Sequence, residues 1–397
     1  MIGRVDAVGV VGAGTMGSGI AAMACLGGYP TRIHDPDPEA LGRAQETAST
    51  ALAKGAGKGW SEADADRAGG LLSTVAGIDG LEGCDLVIEA APERLDLKQG
   101  LFAELAAACG PEAILASNTS SLRVADIAAR TPGPERVVGM HFFNPPTRMR
   151  LVEVVATDDS SAAALEAATE AVERMRRTPI RAKDSPGFIA NRLARPFSLE
   201  SLRMLGDGVA DAATIDRVCR LGGGFRMGPF ELIDLIGLDV NLSVARSFYE
   251  QGGRPERWRP SPIQAEMVAA GRLGRKSGEG FYRYGDGRHR PDDPDLGIEA
   301  PTLDPGELTR IDPAASKILP RLFAQIANET AFAREEEVGT PADMDTAMRL
   351  GFNWPLGPVE ITRLIGPGAA LSLLERLREE HGDAYIPAPS LAAAAEG

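Results

Sequence analysis

Basic residues are in short supply in this chain of 397 residues, which carries 42 Lys and Arg against 56 Asp and Glu, a formal net charge of -14. That balance argues against a nucleic-acid partner or an anionic membrane surface, both of which want a basic face. Long apolar runs are missing as well. None approaches the roughly 20 residues a membrane helix needs. Strand-like sequence begins within the first ten residues, which leaves no room for a signal peptide. Cysteine is scarce. Cys25, Cys84, Cys109 and Cys219 stand at spacings that suit neither a metal site nor a disulfide framework, so reduced thiols, no bound metal and a cytoplasmic location are expected. Histidine is equally rare, with four in the chain, so the setting of each one is informative. What remains is ordinary for a globular protein of two or three domains: 44% apolar and 25% charged residues.

The chain opens with an apolar strand, Val8-Gly9-Val10-Val11, then Gly12-Ala13-Gly14-Thr15-Met16-Gly17 and a helix of small residues to Leu26. A second strand, Thr31-Arg32-Ile33, ends at His34-Asp35, and Asp35 lies 18 residues after Gly17. Glycines between a strand and a helix, with an acid about 20 residues on, form a dinucleotide fingerprint. Gly12 allows the tight turn, Gly14 lets the backbone approach a pyrophosphate, and Gly17 lets helix and strand pack closely. The helix N-terminus faces the phosphate charge. Asp35 binds the ribose hydroxyls and repels a 2′-phosphate, which selects NAD over NADP. Further strands are read at residues 85–90, 113–116, 136–140 and 151–156, with helices at 95–109 and 161–176. Alternation of this kind means a doubly wound sheet whose carboxyl edge binds ligands.

Past Ile180 the period becomes helical. Helices are read at residues 186–205, with Pro186 in the first turn, and at 212–221. Residues 285–312, rich in Pro, Asp and Gly, read as a linker, and the tail from Ile386 as frayed. Residues 200–237 repeat at 329–366 with a constant offset of 129, identical at 13 of 38 positions, including Asp216 with Asp345 and Gly228-Pro229 with Gly357-Pro358. Two copies are too few for a solenoid and should pack on each other. The expected fold is an α/β Rossmann-type, doubly wound N-terminal domain followed by an all-α C-terminal domain built from two repeated helical modules. Its segments are 1–183, 184–284, the linker 285–312, and 313–397.

Within this frame, Met140-His141-Phe142-Phe143-Asn144-Pro145-Pro146 puts a histidine at a strand's carboxyl end, with Glu153 twelve residues later on the next strand. A carboxylate that holds an imidazole fixes its tautomer and prepares it for proton transfer near neutral pH. The alternative is a partly buried histidine hydrogen-bonded for structure.

These segments, with Ser117-Asn118-Thr119-Ser120-Ser121, Ser185-Pro186-Gly187-Phe188-Ile189-Ala190-Asn191-Arg192, Gly228-Pro229-Phe230-Glu231 and Gly274-Arg275-Lys276-Ser277-Gly278, resemble the 3-hydroxyacyl-CoA dehydrogenase family over residues 5–284. The tail resembles members with a duplicated C-terminal helical domain. The resemblance implies NAD-dependent, reversible oxidation of an (S)-3-hydroxyacyl-CoA, 3-hydroxybutyryl-CoA or 3-hydroxyadipyl-CoA among the substrates, in fatty-acid or aromatic-acid degradation. It implies that His141 is the base and Glu153 its partner, and that Ser120 and Asn191 surround the substrate oxygen. It places Asp35, Glu93, Lys98, Ser120, Asn144 and Lys276 at NAD, and a lysine at CoA, with Lys58 ahead of Lys54. The glycines around Lys58 depart from the family's helical hairpin. Plainer roles stand beside these. Ser120 would cap a helix starting near Leu122, Glu93 would be a helix N-terminal acid, Asn191 a solvated helix residue, and Lys276 a surface lysine. Related gulonate dehydrogenases and lambda-crystallins share much of the motif set, so a sugar-acid oxidoreductase and a silent NAD-binding structural protein are the rival readings. Single-module members dimerise through that module. The chain is therefore expected either as a monomer with an intrachain pseudo-dimer of modules or as a homodimer.

Overall fold

A computed structural model describes residues 3–55, 61–285, 290 and 292–396. The chain divides into two compact units, Met1–Phe188 and Ile189–Gly397, a boundary five residues past the 183 read from sequence.

The first unit is built on eight strands: β1 Val8–Val11, β2 Thr31–His34, β3 Leu72–Val75, β4 Leu86–Glu89, β5 Ile114–Ser117, β6 Val137–Phe142, β7 Leu151–Ala156 and β8 Thr178–Lys183. Their spatial order is β3-β2-β1-β4-β5-β6-β7-β8. All neighbours run parallel except β6 and β7. The helices are α1 Thr15–Leu26, α2 Pro38–Gly55, α3 Glu62–Gly69, α4 Leu95–Ala108, α5 Val124–Ala128 and α6 Ala162–Arg174. The central strands β1, β4 and β5 are fully buried, as a sheet covered on both faces requires. Val8, Val10, Ile33, Ile88, Val138 and Met140 form one core with the alanines of α1 and α6. At Gly12, φ is +102°, a value that favours glycine. A β-carbon on Gly17 would stand 1.8 Å from the Gly12 carbonyl oxygen, so α1 crosses β1 too closely for any side chain there.

Three sequence expectations need correction here. β3 and β8 extend the sheet, and β7 turns antiparallel. The helix expected near Leu122 begins at Val124, and its cap is not Ser120 but Asp184, whose carboxylate accepts the N–H groups of Val124 (2.9 Å) and Ala125 (2.8 Å). The glycine-rich stretch lies between two helices, α2 and α3, which pack on each other.

The second unit contains two runs of helices in one order. The first comprises α7 Ala190–Gly206, α8 Ala212–Leu221, α9 Pro229–Ile236, α10 Leu238–Gln251 and α11 Pro262–Ala269. After α12 Pro305–Ile311, the second comprises α13 Ala315–Glu335, α14 Pro341–Gly351, α15 Pro358–Ile365, α16 Pro367–His381 and α17 Pro389–Glu396. The local chemistry repeats too. Glu231 reaches back to the Gly228 N–H as Glu360 does to Gly357. Asp216 accepts from the start of α9 as Asp345 does from α15. Such pairs close the open N–H groups of a helix start.

The two runs pack on each other through reciprocal ion pairs. Arg192 on α7 binds Glu329 (2.7 Å) and Glu336 (2.6 Å) of α13 and the residue after it. Arg321, 129 residues after Arg192, binds Glu200 and Asp207 (2.6 Å), which stand 129 before Glu329 and Glu336. Trp258 donates to Glu329 (3.0 Å) and Tyr385 to Glu200 (2.9 Å). Reciprocity of this kind is what a two-fold axis imposes on a symmetric dimer, here within one chain.

Further corrections fall in this unit. The first helix starts at Ala190, not near Pro186, because Gly187 and Phe188 take positive φ values of 72° and 52° that no helix accommodates. The stretch read as a linker contains α12 and holds Asp293, which pairs with Arg220 (2.6 Å). The tail is helical, with Ala388 and Leu391 buried, rather than frayed. Among the described residues, no helix is long and apolar enough to cross a membrane.

Candidate active site

In the antiparallel pair β6–β7, His141 stands directly across from Glu153. Directly paired side chains emerge on one face of the sheet, so the twelve-residue spacing becomes a contact. His141 Nδ1 lies 2.7 Å from Glu153 Oε2. Glu153 is 0% exposed and His141 6%. A buried carboxylate accepts, so Nδ1 carries the proton and the lone pair of Nε2 is left for chemistry. Phe143 and Phe188 flank the ring at 4.6 and 5.8 Å between centroids. Asn118, at the end of β5, accepts the Phe142 N–H at 2.8 Å and ties the two strand ends together. Pro146 packs on α1 at Gly19, which brings the loop after His141 against the glycine-rich helix.

The rest of the carboxyl edge is a polar cluster. Glu93 Oε1 accepts the backbone N–H of Ser120 (3.1 Å) and of Ser121 (3.1 Å) and the hydroxyls of Thr119 (2.6 Å) and Ser121 (2.9 Å). Burial acts to raise its pKa, but the Lys98 ammonium and these donors outweigh burial and hold it below the usual carboxylate range. Lys98, expected at the cofactor, is 1% exposed, and its Nζ sits 2.6 Å from Glu89 and 3.3 Å from Glu93. It anchors Glu93. Glu89, buried at the end of β4, also accepts from Ser117 at 2.7 Å. Sequence reasoning passed over Glu89 and Ser117; an acid closing an apolar strand was the available signal. The Ser120 side chain is exposed and, among the described residues, its hydroxyl has no hydrogen-bond partner. Asn144 is exposed on the loop after β6.

The nucleotide half fits an NAD. A β-carbon added to Gly14 would meet nothing within 4 Å. Gly14 caps α1 without a side chain, and the first turn, with Thr15 and Met16, holds no acid. The helix N–H groups there are open to an anion. Asp35 accepts the Ala13 N–H at 2.8 Å, which fixes its carboxylate beside the glycine loop.

The second unit carries the other expected residues. Asn191 is half-buried near the start of α7. Lys276, in the turn Arg275–Ser277, is bound to Asp239 at 2.6 Å and is half exposed. Lys54 lies in α2, and Lys58 lies outside the described residues. Among the described residues no group of His, Cys, Asp and Glu is gathered to hold a metal.

Residues 7–185 match the 3-hydroxyacyl-CoA dehydrogenase NAD-binding domain. The C-terminal domain of the same family matches twice, at 187–284 and 318–395. A 3-hydroxyadipyl-CoA dehydrogenase of Escherichia coli K12 is 36% identical over 96% of each chain. The crystal structure of a 3-hydroxybutyryl-CoA dehydrogenase from E. coli K12 superposes with a TM-score of 0.89 at 34% identity, covering 99% of this chain and 98% of that one. An (S)-3-hydroxybutyryl-CoA dehydrogenase from Ralstonia eutropha, 37% identical, covers 71% of this chain and all of its own, with a TM-score of 0.68.

Proposed function

The chain belongs to the 3-hydroxyacyl-CoA dehydrogenase family and is an NAD-dependent oxidoreductase of 3-hydroxyacyl-CoA, and from that premise we propose that His141 is its general base and Glu153 the group that prepares it. The observation that carries the proposal is the buried 2.7 Å contact between the two. His141 takes the proton of the substrate's C3 hydroxyl at Nε2. Glu153 holds the ring and stabilises the imidazolium that forms. NAD, when bound, supplies the acceptor for the hydride that leaves C3. The Ser120 hydroxyl and the Asn191 amide hydrogen-bond the reacting oxygen and align it. Glu93, fixed by Lys98, together with Asp35, Asn144 and Lys276, contacts the dinucleotide, and Gly12, Gly14, Thr15, Met16 and Gly17 frame its pyrophosphate. Lys58 or Lys54 meets the CoA nucleotide.

The relatives' names divide between 3-hydroxybutyryl-CoA and 3-hydroxyadipyl-CoA, and both are candidate substrates. The reciprocal Arg192 and Arg321 pairs support a monomer that carries its own pseudo-dimer; a homodimer would need another surface. A sedimentation mass of twice 41.8 kDa would overturn the monomer. For the base, His141→Ala is expected to lose about 10²- to 10⁴-fold in kcat while NADH binding persists. Turnover near the parent's level in that variant would remove His141 from the chemistry.

A further inference from the structure

Arg195, on α7, is 6% exposed, and among the described residues it has no ion-pair partner. Its Nε and Nη1 are buried without a hydrogen-bond partner. The Phe248 ring lies against its guanidinium, 5.4 Å from Cζ. Burial pushes its pKa down to about 10, with no charge opposing the shift. The same unit satisfies its other enclosed arginines: Arg192 with Glu329, Arg220 with Glu231, Arg321 with Glu200. An enclosed cation without an anion carries a large desolvation cost. The fold does not demand that cost. Ala324, 129 residues on, takes the corresponding place in α13 and is 0% exposed. A small apolar residue therefore serves the helix equally well.

Arg195 follows Asn191 by four residues, so the two share a face of α7 and are separated by about 6 Å along its axis. On the reading that Asn191 holds the C3 oxygen, on which this step rests, the end of a six-carbon acyl chain lies a distance of the same order away. We propose that Arg195 receives a carboxylate at the far end of the acyl chain, so that the substrates are dicarboxylic 3-hydroxyacyl-CoA thioesters such as 3-hydroxyadipyl-CoA. A guanidinium offers that carboxylate two parallel N–H donors. An uncharged chain leaves the cation enclosed and unpaired, so discrimination acts in both directions.

The test compares kcat/KM for 3-hydroxyadipyl-CoA with that for 3-hydroxyhexanoyl-CoA, which has the same chain length and no terminal carboxylate. The parent should favour the first by roughly 100-fold or more. In Arg195→Met that ratio should fall by a similar factor while Tm rises, because the uncompensated charge is gone. Arg195→Lys should keep part of the preference. An unchanged ratio accompanied by a lower Tm marks a structural arginine and overturns the proposal. Equal turnover of the two thioesters by the parent overturns it alone. Turnover of neither by the parent removes the dehydrogenase reading as well.

Discussion

Asn191 and Arg195 in the first helical module stand where the second has Pro320 and Ala324, although α7 and α13 face each other through matched ion pairs. The residues that hold the modules together recur at the 129-residue offset: Arg192 and Arg321, Glu200 and Glu329, Asp207 and Glu336. The residues with groups to offer a ligand do not recur. The two copies share the charges that build the interface, whereas Asn191 and Arg195, the residues proposed to meet the substrate, occur in one copy alone. On those proposed roles the second copy is an internal partner and the first contributes to the site.

Breaking the interface should give the largest effect, and an equal one from either side. Arg192→Ala takes one cation from Glu329, 3% exposed, and leaves it Arg257 and Trp258; Arg321→Ala takes one from Glu200, 0% exposed, and leaves it Arg203 and Tyr385. Removing one partner of a buried pair costs about 3–5 kcal/mol when the other charge is left alone, and the second arginine on each carboxylate brings the expected loss to the lower end of that range. Urea unfolding of the two variants should give losses in that range, similar to each other. A loss under about 1 kcal/mol from only one of them would show that the pairs are not equivalent. The next effect is confined to one module. Asn191→Ala should lower kcat by about 10²- to 10³-fold, as removal of a donor to a reacting oxygen does, and Pro320→Ala should leave kcat where it was. Equal losses, or none, from the two would erase the functional asymmetry.

How far this was legible in the sequence depends on distance along the chain. The glycine loop, Asp35 and the His141–Glu153 contact are local patterns, and each leaves a spacing that can be read. β8 hid because Pro179 and the alternating Arg181 and Lys183 suit an edge strand more than a buried one. β3 hid because it is four residues long and mostly half-buried. The start of α7 depends on Phe188 at φ 52°, which no residue type announces. The 129-residue repeat showed that there were two modules. The pairing of Arg192 with Glu329, 137 residues apart, needed the fold. Arg195 was the least legible residue. Its significance is the absence of a carboxylate, which only surrounding coordinates disclose.

The smallest expected difference between the modules lies in their paired aspartates, and pH sharpens it. Asp216 is 0% exposed and accepts from Phe230, Glu231 and the Tyr282 hydroxyl (2.7 Å). Burial, against these donors, pushes its pKa from 3.8 up to about 7. Burial also raises Asp345, which is only half-buried. A carboxyl whose pKa is higher folded than unfolded binds its proton more tightly in the fold. Its contribution to stability is therefore complete below the unfolded value near 3.8 and is lost as pH rises through about 7. Between those limits Asp216→Asn should flatten the fall of Tm with pH, because the amide does not titrate. Asp345→Asn should flatten it less, since the half-open site lets water solvate the charge. Should Asp345→Asn flatten the profile as much as Asp216→Asn, burial would not be what separates the two aspartates. The first module's tighter closure, with Tyr282 seated on Asp216, would then have no energetic consequence.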